Sequence, residues 1–189
     1  MAAMRIFTGV KLDDAVRNTI VREMKPFKKA GGAIRWTEAG NIHLTLKFIG
    51  EADEALTARV AETLSASRFA VAPFSLRIRG FGKFPAGGDL NIFWAGVEAH
   101  PALPALFAGI EEALTPLGIS RETRPFHPHL TLGRNKVGGD FRELLALLAQ
   151  KQDLFLADWP VAAFQLFASR LTAAGSVYTV IKEMPLVQS

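Results

Sequence analysis

His43 and His129 each open the same four-residue word, His-Leu-Thr-Leu, in "HLTLKFIG" (43–50) and "HPHLTLGR" (127–134). The chain has 4 histidines in 189 residues, so half of them stand in these two words. In a β-strand, residues i and i+2 point to one side and i+1 and i+3 to the other. His43 and Thr45 therefore share a face, as do His129 and Thr131, while Leu44, Leu46, Leu130 and Leu132 turn the opposite way. Strict alternation adds Lys47 to the His43 face and Phe48 to the leucine face. Each strand offers the core two leucines and presents an imidazole beside a hydroxyl.

Two such pairs facing one groove suit phosphoryl chemistry. Imidazole ionises close to neutrality, so one ring can serve as base while its twin serves as acid. Threonine hydroxyls donate to non-bridging oxygens as charge builds on phosphorus. Base, acid and oxyanion donors suffice for in-line attack on a phosphodiester. A strained cyclic phosphate needs no metal to draw on its leaving group.

No metal and no cofactor is expected. His127 and His129 have the H-x-H spacing of some metal sites, but Pro128 separates them. Zinc takes three or four ligands, and the chain has no cysteine. His127 reads as a loop histidine, and His100, before Pro101, as another. Arg134 closes the second word. Parity turns it away from the groove, yet Gly133 before it permits a bulge that would re-aim it to hold a phosphate or a base. Lys47 is the second substrate-binding candidate. Arg77, Arg79 and Lys83, interleaved with Phe81 and Phe84, read equally as a basic stripe for an RNA backbone or as a solvated strand face. Trp36, Trp94 and Trp159 read as core, and Lys25, Lys28 and Lys29 as a solvated helix end.

The elements that position these residues repeat. "RIFTGV" (5–10) reads as a strand, and Leu12, Val16, Ile20, Met24 and Phe27 as a helix that Asp13 or Asp14 starts. Pro26 and Gly31-Gly32 are expected to end that helix. Next come an HLTL strand, a helix through Leu56, Val60 and Leu64, a strand at 74–81 and a turn at "KFPAGGD". The second run gives a strand at 91–97, a helix from Leu103 to Leu117, the second HLTL strand, a helix through Phe141, Leu144, Leu145 and Leu148, and a strand at 164–171. A last strand covers 176–184. Ile6-Phe7 and Ile92-Phe93 recur at the separation of the two histidines, and Phe74-Ser75-Leu76 answers Phe164-Gln165-Leu166 slightly further on. The reading is a single bilobal α+β domain over 1–189, with an internal repeat at roughly 5–81 and 91–184. Its two lobes would be related by a pseudo-two-fold, their HLTL strands facing a shared groove.

Composition sets limits. Hydrophobic residues are 49% and charged residues 21%, a globular balance rather than a disordered one. The net charge of +4 is compatible with an anionic partner without requiring one. The absence of cysteine excludes disulfides and thiol nucleophiles. The opening "MAAMRIFTGVKLDD" has neither a secretory apolar stretch nor a bilayer-spanning one. A cytoplasmic monomer is expected.

Paired H-x-T-x words in a chain of this length, with "RIF", "NIHLTLKFIG" and "FHPHLTLGR" where they stand, resemble the two-histidine (2H) phosphoesterase superfamily. The most similar branch is the RNA 2′,3′-cyclic phosphodiesterases, also called 2′-5′ RNA ligases or LigT-like proteins. The resemblance runs from Arg5 to about Leu186. It implies a bilobal fold around a pseudo-two-fold groove and metal-free opening of a terminal 2′,3′-cyclic phosphate to a 2′-phosphomonoester. It further implies that His43 is the proton donor and His129 the proton acceptor, with Thr45 and Thr131 beside them, and it favours Arg134 as a ligand contact. The partner would be RNA bearing cyclic phosphate ends, or a small cyclic nucleotide. The reverse reaction, 2′-5′ ligation, uses the same site, as would action on another small cyclic or 2′-5′ nucleotide. A non-catalytic RNA-end clamp is the rival of a different class. A clamp calls for arginine and lysine more than for titratable imidazoles.

Overall fold

The computed structural model describes residues 4–32, 34–87, 89–135, 138–172 and 175–187. The first run comprises β1 (Met4–Lys11), α1 (Asp14–Ala30), β2 (Ile34–Trp36), β3 (His43–Ala52), α2 (Glu54–Ala66) and β4 (Phe74–Phe84). The second comprises β5 (Ile92–Val97), α3 (Ala102–Leu114), β6 (His129–Asn135), α4 (Arg142–Gln150), β7 (Phe155–Val161), β8 (Ala163–Thr172) and β9 (Gly175–Pro185). Local chemistry explains the helix starts. The Asp13 carboxylate accepts the Val16 amide at 2.8 Å, and Asp53 accepts that of Leu56 at 2.7 Å, each satisfying an otherwise orphaned donor. Helix α1 continues through Pro26, which is exposed, and stops at Gly31. Its apolar face is buried as the spacing predicts, with Val16, Ile20, Met24 and Phe27 in the core. The turn after β4 lies at 85–90, and Gly88 within it is outside the described residues.

The described strands belong to one antiparallel sheet in the order β7-β4-β5-β6-β3-β1-β8-β9, with β2 paired to β6. The order reads the same from both ends once β3 is matched with β6, β1 with β5, and β8 with β4. The fold is α+β, as the sequence implied. The lobes, however, are not the two sequence halves. Strand β4 crosses from the first half into the lobe of β5 and β6, and β8 and β9 cross back to β1 and β3. The helices cross too: α1 packs on β7 and α4, while α3 packs on α2 and β3. Each lobe is built from both halves, so neither half can close its own sheet.

The sequence register also shifts. Ladder partners match Phe7, across from Phe48, with Ile92, across from Arg134. Phe7 and Phe93 are therefore not equivalent. Phe93 is in the core against Phe27 and Phe81, whereas Phe7 contacts the His43 ring.

Both central strands slip at the second leucine of their word. The β1–β3 ladder goes from Gly9↔Thr45 to Thr8↔Lys47, passing over Leu46. The β5–β6 ladder goes from Trp94↔Thr131 to Phe93↔Gly133, passing over Leu132. A bulge reverses the alternation beyond it. Lys47 consequently turns inward, only 4% exposed, and Phe48 turns out, 68% exposed. This overturns the expected placement of Lys47 on the His43 face. Its ammonium donates to Glu111 Oε1 at 2.7 Å and to the Ser120 carbonyl at 2.8 Å, so the charge is paired within the sheet–helix layer. In the other lobe the same turn is taken by Gly133, where a Cβ would meet Ile34 Cγ2 at 2.5 Å.

Removing one partner of a buried ion pair strands the other charge, at a cost of about 3–5 kcal/mol. Lys47→Met is therefore expected to destabilise the fold by that amount in urea denaturation. The double variant Lys47→Met/Glu111→Leu should regain most of the loss. A single variant within about 1 kcal/mol of wild type would show the pair to be effectively solvated.

Candidate active site

Among the described residues, strands β3 and β6 meet in one ladder pair, Leu44↔Leu130, both leucines fully buried. Extending that antiparallel register by one residue each way sets His43 across from Thr131 and Thr45 across from His129. Side chains directly opposed in a ladder share a face. The four polar residues of the two words therefore stand together on the face opposite the leucines, as the alternation predicts.

Each imidazole is fixed in the same way. His43 Nδ1 lies 2.7 Å from the Asn41 carbonyl, and His129 Nδ1 lies 2.7 Å from the His127 carbonyl. A carbonyl only accepts, so each Nδ1 carries the proton and donates, leaving Nε2 unprotonated in the neutral ring. Thr45 Oγ1 is 3.0 Å from His43 Nε2. Neutral His43 accepts the threonine hydroxyl there, and imidazolium donates to it. The His43 ring is also packed against Phe7 at 4.8 Å, Tyr178 at 5.1 Å and Phe167 at 5.8 Å, and His129 against the edge of Phe84 at 5.1 Å. Gly9 allows β1 to approach this closely, since a Cβ there would fall 2.6 Å from the Leu44 carbonyl and 3.3 Å from His43 Cδ2.

A cavity of about 700 Å³ opens on the site. Thr45, Phe48, His129 and Arg134 line it, and so do Phe107, Phe126, Arg121 and Arg124 from α3 and the segment before β6. His43 and Thr131 are not among its lining residues. The bulge at Leu132 brings Arg134 to this cavity, the re-aiming that Gly133 permits. The buried Lys47 touches the cavity from below and is held by Glu111.

Both imidazoles titrate below their ordinary value of 6.5. Burial is the first cause, because it penalises imidazolium. The carbonyl acceptors at Nδ1 work against it. The Arg134 guanidinium lowers both further, with His129 adding to the effect on His43 and His127 to that on His129. An unfolded imidazole binds its proton near 6.5 and these two only at lower pH. The fold accordingly loses stability as pH falls through that window.

Other candidates fall outside the site. Arg77 pairs with Asp158 at 3.0 Å and Arg79 with Glu98 at 2.6 Å, both pairs at the exposed surface. Lys83 donates to the Pro85 and Ala86 carbonyls. Trp159 is core, while Trp36 and Trp94 are half-buried. The His127 side chain is exposed, and its carbonyl is the part that touches the site. His100 stacks on Phe74 and accepts the Ala102 amide at the start of α3. Among the described residues, no group of three or more His, Asp or Glu is arranged to hold a metal ion, and no helix is long and apolar enough to cross a membrane. Sequence reasoning missed the Asn41 and His127 carbonyls, which no side-chain motif signals, and Phe48, which parity hid.

With this geometry in view, the chain belongs to the 2′-5′ RNA ligase superfamily, whose sequence profile matches residues 13–172. A protein of Methanothermobacter thermautotrophicus named RNA 2′,3′-cyclic phosphodiesterase is 31% identical over 93% of this chain and 95% of its own. One of the same name from Thermus thermophilus is 34% identical over 97% of this chain and 90% of its own. The apo crystal structure of Escherichia coli LigT superposes with a TM-score of 0.79 at 25% identity, covering 100% of both chains. TT0787 of Thermus thermophilus gives 0.78 at 30% identity, covering 97% and 98%.

Because the Arg134 charge opposes protonation of both rings, Arg134→Gln is expected to move both imidazole titrations to higher pH. Proton NMR of the histidine Cε1–H signals measures this without any substrate. Midpoints that stay in place, or that move down, would remove the guanidinium from the account.

Proposed function

We propose that the protein is a metal-independent phosphodiesterase that opens the terminal 2′,3′-cyclic phosphate of RNA to a 2′-phosphomonoester. One observation carries the reading. Two imidazoles, each oriented by an Nδ1–H donated to the carbonyl two residues upstream, stand with two threonines on one face of the β3–β6 seam. The relatives named RNA 2′,3′-cyclic phosphodiesterase support it.

In this mechanism His129 Nε2 takes a proton from water as the oxygen attacks phosphorus. The bond to O3′ breaks, and His43 Nε2–H protonates that oxygen, leaving a 2′-phosphate and a free 3′-hydroxyl. Thr45 and Thr131 donate to the non-bridging oxygens, and Arg134 balances the phosphate charge. The Asn41 carbonyl stabilises the His43 imidazolium before transfer, and the bound phosphate anion raises a pKa that burial and Arg134 depress. With a 5′-hydroxyl in place of water, the same groups acting in the same direction form a 2′-5′ linkage and free the 3′-hydroxyl.

The reading is tested by incubating the protein with a 2′,3′-cyclic nucleotide in EDTA. A 2′-monoester should form at the rate seen without chelator. Activity that disappears and returns with zinc or magnesium would sink the two-histidine mechanism, and the absence of any monoester would favour the RNA-end clamp.

Polarity is tested with an activated aryl phosphodiester, whose leaving group needs no protonation. Loss of a general acid or base costs about 10²–10⁴ in rate. On the aryl substrate His43→Ala should recover much of its loss, and His129→Ala should stay impaired. The opposite pattern would exchange the two roles.

A further inference from the structure

Strand β9 reaches the His43 imidazole by two routes. Tyr178 sets its ring edge against the imidazole at 5.1 Å and against Phe7 at 5.1 Å. Two residues nearer the tip of the β8–β9 hairpin, the Ser176 carbonyl accepts a hydrogen bond of 2.6 Å from Asn41 Nδ2. The Asn41 carbonyl is in turn the acceptor that fixes His43 Nδ1–H at 2.7 Å. Asn41 is a bridge, with its side-chain amide on the hairpin and its backbone carbonyl on the ring.

The place of the bridge in the fold gives it a task. Strand β8 pairs with β1 from Gln165 to Ser169, and the hairpin runs on past that ladder through Arg170–Thr172 and Gly175–Val177. Leu171 is 75% exposed and Val177 50%, so this end of the hairpin stands clear of the core. Asn41 closes the turn at 39–41, its backbone N–H donating to the Glu38 carbonyl at 2.8 Å. A carbonyl accepts and does not donate, so the Asn41 side chain must present its NH₂ to Ser176. An aspartate of the same shape would set one acceptor against another. In the other lobe His127 supplies the matching carbonyl to His129, but its side chain is exposed. The two imidazoles are alike in their Nδ1 contacts and differ in what holds the residue that makes them.

We propose that Asn41 is a positioning residue for the proton donor, latching the β8–β9 hairpin to the turn that orients His43. This rests on His43 acting as the acid of the phosphodiesterase reaction. The partner at Nδ1 decides which nitrogen of the neutral ring carries the proton and where Nε2 points. Displacing a reacting group by about 1 Å can cost on the order of 10²-fold in rate. With its carbonyl on the ring and its amide on the hairpin, Asn41 keeps His43 Nε2–H aimed at the leaving oxygen.

The latch is tested with Asn41→Ala and with Asn41→Asp, which keeps the shape and removes the donor. Heteronuclear NMR of the ring nitrogens reads the tautomer without substrate, and circular dichroism verifies the fold. Wild type should hold neutral His43 and His129 as Nδ1–H. Both variants should shift His43 toward Nε2–H and leave His129 unchanged. On a 2′,3′-cyclic nucleotide both should lose roughly 10–100-fold in kcat with KM unchanged. On the activated aryl phosphodiester, whose leaving group needs no acid, both should keep the wild-type rate. A merely structural role would lower the two rates alike. His43 retained as Nδ1–H in both variants, an unchanged kcat, or equal losses on the two substrates overturns the proposal. Should wild type hydrolyse neither substrate, the phosphodiesterase reading falls by itself, and the His43 tautomer alone decides on Asn41.

Discussion

One backbone pairing organises the molecule. Among the described residues, β3 and β6 join through Leu44 and Leu130, and the sheet reads outward from that seam in matching order on both sides. The antiparallel register at the seam sets each histidine across from the other strand's threonine. A slip of one residue in either strand would send that strand's histidine and threonine into the leucine layer and its leucines into the groove. Burial of Leu44, Leu46, Leu130 and Leu132 therefore specifies the register, and the register assembles the site. The exchange of β4 with β8 and β9 carries the chain across this seam between the lobes.

The bulges introduce asymmetry into this symmetric frame. Both words end at a leucine where the ladder skips a residue, and the next two side chains differ between lobes. In one lobe the inward position is Lys47, bound to Glu111 and to the Ser120 carbonyl, so the same ion pair anchors the segment that leads to β6. In the other lobe it is Gly133, small enough for β2 to lie across it. The outward positions, Phe48 and Arg134, then give the two ends of the groove different chemistry. The guanidinium also depresses both imidazole titrations, which couples this outward charge to the two histidines.

Much of this was legible from residue patterns. The HLTL words, helix α1 with its Asp13 cap and the duplication all arise from short-range periodicity, which local sequence carries. The features that escaped depend on long-range pairing. Strand β2 is three residues long and exists because Gly133 admits it, while β7 contains Pro160 and is tolerated as an edge strand paired to β4. The crossing of β4 and β8 between lobes leaves no trace in the repeat, since the strands match each other wherever they lie. The one-residue offset between Phe7 and Phe93, and the inward turn of Lys47, come from bulges that parity does not foresee. The ion pairs of Arg77 with Asp158 and Arg79 with Glu98 were not legible, because the partners are distant in sequence. Arg134 was the exception, since a glycine before it marked the place where alternation could break.

The proposed mechanism requires both Nε2 atoms to act on one phosphorus. A crystal structure with a ribonucleoside vanadate, which imitates the pentacoordinate transition state, tests it most directly. The vanadate is expected in the groove, with one oxygen within hydrogen-bond reach, about 2.6–3.2 Å, of His43 Nε2 and another within the same reach of His129 Nε2. A vanadate bound outside the groove, or held by one histidine with the other turned away, would contradict it.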